Sequence, residues 1–583
     1  MIEISSPIKD SDIKLIQIKE FETIDMSHVL NIFQEYKKRG VILNGNFQDS
    51  KWRLDNFTSS YTITFDFNNL LFIRESKKRD IGEYEKLVTA VKAFIVYKLE
   101  TSVIQTIYDY SKALTSVFLE TNFFMVDNIR IFDPQKSKIK SFGFILDFLN
   151  FYNKLNVDDE YIEIMMFHWE NYTFQKKINN QRNIGRFESI FKLSEVIEDF
   201  WESANQEFHE KYYPIKIWWE ISMIIPIRTT ELALTPYDCI KEKENNYYLQ
   251  VRRTQLKGNA GKKKVSHSIE NDYRLQEIRI NKRLYQLIDR YRQIVDDYDQ
   301  MYYYDENEII PTKRKFLFSY RSYFKYLENK LTKYRIGNMV KQTGKEYFSA
   351  GSLHRLLDNF FIEIVSGKYN YEVISKLENK EELEPNQIEL VNPMDTRHFA
   401  FINMVLNDIE PLFLKKLGGH DAIDSSIHYF SHIDNFIKCF TYSTAKRLVN
   451  NKKVNSKKSE LDFYNKYKNT SKIPIQTYRN VKNGRCISQQ SLTELMDCRR
   501  VNNNCLICSF FQPKNTQVYI EKIKENEDRI ETEITNLKHL IEAFKRAKNF
   551  NEEFMQKINI IKGYANQNAG LISNCLVEEN TDG

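Results

Sequence analysis

Residues 417–432 read Leu417-Gly418-Gly419-His420-Asp421-Ala422-Ile423-Asp424-Ser425-Ser426-Ile427-His428-Tyr429-Phe430-Ser431-His432. A glycine pair delivers an imidazole, and a phenol set between His428 and Phe430 follows nine positions on. Upstream, Met394-Asp395-Thr396-Arg397-His398-Phe399-Ala400 opens a segment with helical spacing. Farther upstream, Ile227-Arg228-Thr229-Thr230-Glu231-Leu232-Ala233-Leu234 sets an arginine where one apolar helix ends and a new apolar turn begins. Taken singly, such arginines mostly cap a helix or pair with a carboxylate.

Around these segments the periodicity is mostly helical. Residues 193–204 and 214–227 predict helices, the second with Pro214 near its first turn and Ile217, Ile221, Ile224 and Ile225 on one stripe. Tyr248-Leu249-Gln250-Val251 alternates and runs into Lys257-Gly258-Asn259-Ala260-Gly261, which predicts a hairpin. Further helices are expected near 280–300, 320–335, 352–366 and 396–407, with an acidic surface loop at 378–386. Toward the N-terminus, Tyr61-Thr62-Ile63-Thr64-Phe65-Asp66-Phe67 alternates as a strand does, while Leu87, Val91, Phe94, Ile95 and Leu99 recur at helical spacing. Near the C-terminus, Ile530, Ile534, Leu537, Ile541 and Phe544 form an apolar stripe that suits either a short coiled coil or a helix packed on its own body.

The expected class is mainly α with a small antiparallel β-sheet, an α+β fold. Its expected parts are a mixed N-terminal extension (1–80), a compact helical domain (81–180), a polar linker at 175–186, and a second, larger domain (187–440). A basic linker (441–485), a cysteine module (486–512) and a C-terminal helical segment (513–583) follow.

The boxes at 227–234, 394–400 and 417–432, in that order, resemble the tyrosine recombinases, the integrase family of site-specific DNA recombinases. There one arginine lies in a segment like GLRxSEL, a second lies in HxxRH, and a histidine or tryptophan follows LGH. The tyrosine stands at the interval from that histidine seen here. The corresponding residues are Arg228, Arg397, His420 and Tyr429, and Lys257 sits in the hairpin where the family's catalytic lysine is expected. Lys262, Lys263 and Lys264 share that hairpin. The match spans roughly 187–440; the 81–180 block is similar to the family's core-binding domain in position and pattern only.

The resemblance implies roles that simple chemistry supports. A tyrosine hydroxyl can displace a DNA strand and store the bond as a phosphotyrosine. Two guanidinium forks, Arg228 and Arg397, can bind the non-bridging oxygens as charge grows on the pentacoordinate phosphorus. Lys257 can protonate the departing 5′ oxygen, and His420 can hydrogen-bond the phosphate or position the tyrosine. One box departs from the pattern: Met394 stands where the family usually has a histidine with an acid or base role. His398, His428 and Asp395 are the candidates to replace it. Glu231 is expected to anchor the backbone that bears Arg228.

Composition sets the outer bounds. With 583 residues and 42% hydrophobic content, the chain is long enough for several packed domains, and collagen-like or wholly disordered readings are excluded. The longest apolar stretch, 215–227, is interrupted by Lys216 and Glu220, so no membrane span is expected. The first residues carry acids where an export signal would be basic and then apolar, which predicts a cytoplasmic location and reduced cysteines. Net charge is +6. The segment 441–485 concentrates twelve Lys and Arg against Glu460 and Asp462, a balance suited to phosphate backbones. Cys486, Cys498, Cys505 and Cys508 form one CxxC pair with two more thiols, a set that suits a structural zinc ion. Cys239, Cys439 and Cys575 read as small core residues.

The resemblance thus implies an integrase or transposase of a mobile element that acts on double-stranded DNA. It implies a homo-tetramer around two duplexes, accessory recombination proteins as further partners, and no catalytic cofactor. Two other readings stay open: a type IB topoisomerase, and a DNA-binding regulator whose recombinase site has decayed, for which the departure at Met394 leaves room.

Overall fold

The computed structural model describes residues 3–7, 14–18, 20–56, 60–74, 80–130, 132, 141–178, 186–256, 264–296, 316–343, 348–376, 383–406, 433–451, 479–481, 484–486, 511–513, 517–544 and 550–578. These residues are mostly helical, with small antiparallel sheets. One short pair, Glu372–Ile374 with Gln387–Glu389, is parallel.

Helix α1 (Met26–Lys38) starts at Asp25, whose carboxylate accepts the Ser27 N–H and so satisfies one of the free donors of the first turn. Strands β1 (Ile42–Asn44), β2 (Lys51–Asp55) and β3 (Ser60–Thr64) form an antiparallel sheet. The alternation read at Tyr61 to Phe67 outlasts the ladder: Ile63, Phe65 and Phe67 are buried, while Thr62, Thr64 and Asp66 are exposed. Helices α2 (Ile81–Leu99), α3 (Ile104–Glu120), α4 (Phe142–Phe151) and α5 (Asp159–Ile178) cover that apolar face. Trp52, Ile63 and Phe65 share one core with Leu87, Phe94, Phe118 and Phe148. The 1–80 and 81–180 regions therefore bury their apolar faces against each other. The linker expected at 175–186 is still helical through Ile178.

Helix α6 (Phe187–Ser203) leads into α7 (Gln206–Ile224), the central helix of the second body. Asn205 caps α7 by accepting the Phe208 N–H, so the helix begins earlier than expected and Pro214 lies in its interior. A proline there removes one helical hydrogen bond. Burial of every residue from 211 to 219 holds the helix in place. Ile217, Ile221 and Ile225 are buried as the stripe predicts, but Ile224 is exposed because only one side of the last turn meets the core. The charges inside this apolar run are paired: Lys216 Nζ lies 2.6 Å from Glu198 and 3.0 Å from Glu220. Among the described residues no helix is long and apolar enough to cross a membrane.

After α8 (Thr229–Ala233), strands β4 (Ile240–Lys243), β5 (Asn246–Thr254) and β6 (Tyr273–Ile280) form an antiparallel sheet in that order. Glu244 and Asn245 make the first turn with φ of +49° and +61°, the twist that suits a two-residue hairpin loop. Helices α9 (Lys282–Val295), α10 (Ala350–Phe360) and α11 (Pro393–Leu406) pack around α7 and the sheet.

The chain ends in α12 (Ile433–Asn451), α13 (Gln517–Phe544) and α14 (Phe550–Glu578). Helices α13 and α14 run antiparallel: Asn526 meets Asn568, Arg529 meets Tyr564, and Lys557 meets Glu533. The stripe that suited a coiled coil is spent within the chain. Ile530, Ile534 and Leu537 join the core of the second body together with Phe554, Ile558 and Ile561, while Ile520 is left exposed. Arg479–Val481, Gly484–Cys486 and Phe511–Pro513 form a further antiparallel sheet.

Candidate active site

The turn between α7 and α8 is the scaffold of the site. The helix stops at Ile224, and Arg228 takes extended backbone angles as the residue preceding α8. Its N–H is satisfied by Glu231 Oε2 at 2.9 Å, and its Nη1 donates to Glu231 Oε1 at 2.6 Å. One acid three residues into the next helix thus holds both the backbone and the guanidinium of Arg228, the anchoring role expected for Glu231.

Two more arginines converge on that carboxylate. Arg253, near the end of β5, donates from Nη1 to Glu231 Oε2 at 2.9 Å and to the Pro226 carbonyl at 3.1 Å, and from Nε to Gln276 Oε1 at 3.1 Å. Arg397, on α11, sets Nη1 4.0 Å from Glu231 Oε2 and donates to the same Pro226 carbonyl. The Thr254 N–H adds a contact to Glu231 Oε1 at 3.2 Å. The two arginines picked from separate sequence boxes, Arg228 and Arg397, are thereby brought to a single acid. Arg228 retains 6% exposure, and Arg253 and Arg397 lie deeper.

Burial by itself would raise the Glu231 carboxyl's pKa, but Arg253, Arg228 and Arg397 together hold it below the usual carboxylate range. Burial pulls Arg253 down, and Glu231 opposes that pull. Within these four side chains, three guanidiniums face one carboxylate, an excess of two positive charges. Buried cations in this number require anionic partners. The shared carboxylate and the shared Pro226 carbonyl fix the orientation of these guanidiniums.

The head of α11 carries Met394, the residue at which the sequence departs from the pattern it resembles, and its neighbours. Met394 is half-buried, and Asp395 is fully buried. Asp395 Oδ2 accepts the Asn392 N–H at 2.8 Å and the Lys376 ammonium at 2.7 Å, so this carboxylate caps the helix and forms an ion pair. His398 is buried beside Arg397.

Lys257, His420 and Tyr429 lie outside the described residues, as do His428, Lys262, Lys263, Cys498, Cys505 and Cys508. Cys486 closes the strand Gly484–Cys486. Lys264 is described and pairs with Glu100 at 2.6 Å. Cys239 is buried, as a small core residue should be, and burial pushes its thiol up to about 12.

Arg253, Gln276 and Tyr273 complete the site and were not picked from the sequence. Arg253 carried a readable signal: Leu249, Val251 and Arg253 share the inward phase of β5, so a guanidinium was due in the interior. Tyr273, at the start of β6, is hydrogen-bonded with Thr230, and burial pushes its hydroxyl up to about 12. No protein-family model matches the chain, and no curated protein matches it.

Proposed function

We propose that this chain is a site-specific DNA recombinase of the tyrosine type, an integrase or transposase of a mobile element. The observation that carries the reading is the meeting of Arg228 and Arg397 at Glu231, which gives one phosphate two forks from distant parts of the chain. In this reading the Tyr429 oxygen attacks the scissile phosphorus and passes its proton to a base, for which His398, His428 and Asp395 are the candidates, and the 5′ oxygen of the broken strand leaves with a proton from Lys257. A 3′-phosphotyrosine results, and a 5′ hydroxyl of a second strand reverses the step. His420 hydrogen-bonds the phosphate or positions the tyrosine. Arg397 is wholly buried, so the segments covering it must part when a duplex enters.

The proposed partners are double-stranded DNA, three further copies of the chain around two duplexes, and accessory recombination proteins, with the cytoplasm as the site of action. The 441–485 segment supplies phosphate contacts. No cofactor takes part in cleavage. Cys486, Cys498, Cys505 and Cys508 hold a structural zinc ion; in support, the ladder pairs Cys486 with Phe511, close in sequence to Cys508. Release of about one equivalent of zinc on thiol modification is expected for such a site, and a zinc-free purified protein ends that part of the proposal.

The test is a nicked suicide duplex built from the ends of the element that carries the coding sequence. The expected result is a covalent protein–DNA adduct that disappears in Tyr429→Phe. Met394 favours a second reading, a decayed recombinase that binds DNA as a regulator, and binding without adduct would select it. Relaxed circles in place of products joined from two duplexes would select a type IB topoisomerase.

A further inference from the structure

Arg253 on β5 and Arg397 on α11 reach the same two acceptors. Each donates to the Pro226 carbonyl, and each faces Glu231 Oε2. They hold that oxygen unequally. Arg253 Nη1 lies 2.9 Å away, a hydrogen-bonded ion pair, whereas Arg397 Nη1 stands off at 4.0 Å, beyond hydrogen-bond reach.

Arg253 is itself held from the neighbouring strand. The ladder pairs it with Arg274, which places Gln276 two residues along β6 on the same face, and Gln276 Oε1 accepts the Arg253 Nε at 3.1 Å. The next residue of β5 adds a backbone contact, because the Thr254 N–H lies 3.2 Å from Glu231 Oε1, the oxygen that accepts Arg228 Nη1. One strand thus grips both oxygens of the acid. Oε2, the oxygen that Arg253 holds, also accepts the Arg228 N–H at 2.9 Å, so its place fixes the backbone from which the Arg228 side chain departs.

We propose that Arg253 is a positioning residue for the two forks: it keeps Glu231 and the Pro226 carbonyl in place, so that Arg228 holds its aim and Arg397 can turn to an incoming phosphate without stranding either acceptor. A buried acceptor that loses its donor costs the desolvation of that group. With Arg253 in place, neither acceptor is left alone when Arg397 moves. Arg253 acts through Glu231 and stays off the phosphate, being 0% exposed with Nε and Nη1 committed to Gln276, Pro226 and Glu231. The proposal rests on the recombinase reading for its effect on cleavage, and on the geometry at Glu231 for its hold on the turn.

The full-length protein and the nicked suicide duplex separate this role from a structural one. Arg253→Met removes one of the three cations that face one acid, so the urea midpoint should stay close to the parent's. Adduct formation at saturating duplex should slow by about 30-fold or more, with duplex affinity within about twofold of the parent. Arg253→Lys keeps a cation but cannot span the carboxylate, the carbonyl and Gln276 together, so it should recover only part of the rate. Amide exchange reads the hold directly: the Arg228 amide should exchange about tenfold faster in Arg253→Met. The contact between the two bodies is the control. There the Val265 N–H donates to the Glu100 carbonyl at 2.8 Å and His267 Nε2 lies 3.0 Å from the Leu99 carbonyl, and Val265 exchange should not change.

An adduct rate in Arg253→Met within about threefold of the parent overturns the positioning role, as does a rate loss that follows a fall in the folded fraction or an equal loss of duplex affinity. Full recovery in Arg253→Lys would show that charge alone suffices and overturns it too. Unchanged exchange at Arg228 overturns the hold on the turn. Should Arg253→Met fail to fold, Gln276→Leu replaces it: this half-buried change frees only the Arg253 Nε, and should slow the adduct by about threefold or more and speed Arg228 exchange. Neither effect in that variant overturns the proposal. Absence of an adduct in the parent protein refutes the recombinase reading, and the hold on the turn is then decided by the exchange data alone.

Discussion

Glu231 holds Arg228 twice, by its backbone N–H at 2.9 Å through one carboxylate oxygen and by its guanidinium at 2.6 Å through the other. The acid is wholly buried and also serves Arg253 and Arg397, so it is a counter-charge that all three arginines share.

Removing that charge should destabilise the second body before it affects any chemistry. Glu231→Gln keeps the shape but leaves three buried guanidiniums without their acid, a change expected to cost about 3–5 kcal/mol. Denaturant unfolding of the variant against the parent measures it; a loss below about 1 kcal/mol, the scale of a surface ion pair, would contradict the arrangement.

The two forks can be separated from their charge. Arg228→Lys and Arg397→Lys keep a cation but lose bidentate geometry, so each should slow adduct formation by about 100- to 1,000-fold. Duplex affinity should barely move, and the slope of log affinity against log salt should change by less than about one. Equal losses in binding and cleavage would show that these arginines serve binding only.

Two tyrosines should respond differently. Tyr273 abuts the Arg228 turn, but burial pushes its hydroxyl up to about 12, farther from ionisation than an ordinary phenol. Tyr273→Phe should therefore retain the adduct within about threefold, while Tyr429→Phe abolishes it. Loss of the adduct in Tyr273→Phe with retention in Tyr429→Phe would reassign the nucleophile.

Acid should loosen the contact between the two bodies. Burial lowers the pKa of His267; the Leu99 carbonyl and Asp272 oppose that shift, and Arg39 adds to it. Tyr36, Glu100 and Lys264 are further titratable groups at this contact. A histidine whose folded pKa is depressed contributes stability that is fully present above its unfolded value near 6.5 and is lost as pH falls toward the folded value. Exchange at the Val265 amide, corrected for intrinsic rate, should therefore rise between pH 7.5 and pH 5 in the parent and not in His267→Asn. A flat profile in the parent would remove the histidine from the contact.

Much of the fold was legible because it is written in local periodicity. The alternation from Tyr61 to Phe67, the helical spacing around Phe94, and the inward phase of Leu249 and Val251 each specify an element and its apolar face. Where the reading left a choice open or failed, the deciding fact was distant in sequence. The stripe from Ile530 to Leu537 specified a buried face, but only packing shows that α14 covers it. Pro214 looked like a helix start, and the Asn205 cap with the buried surroundings of α7 moved it to the interior.

The candidate site divides along the same line. Residue types and order carried the resemblance through which Arg228, Arg397, Lys257, His420 and Tyr429 became candidates, because the spacing within each box is local. Tertiary structure alone decided that Arg228, Arg253 and Arg397 share one buried carboxylate, and that the chain beyond Lys257 is tied to the end of α2 through His267. Ion pairs and hydrogen bonds act over a few ångströms, so they are settled by which strands pair and which helices cross, and no single segment carries that information.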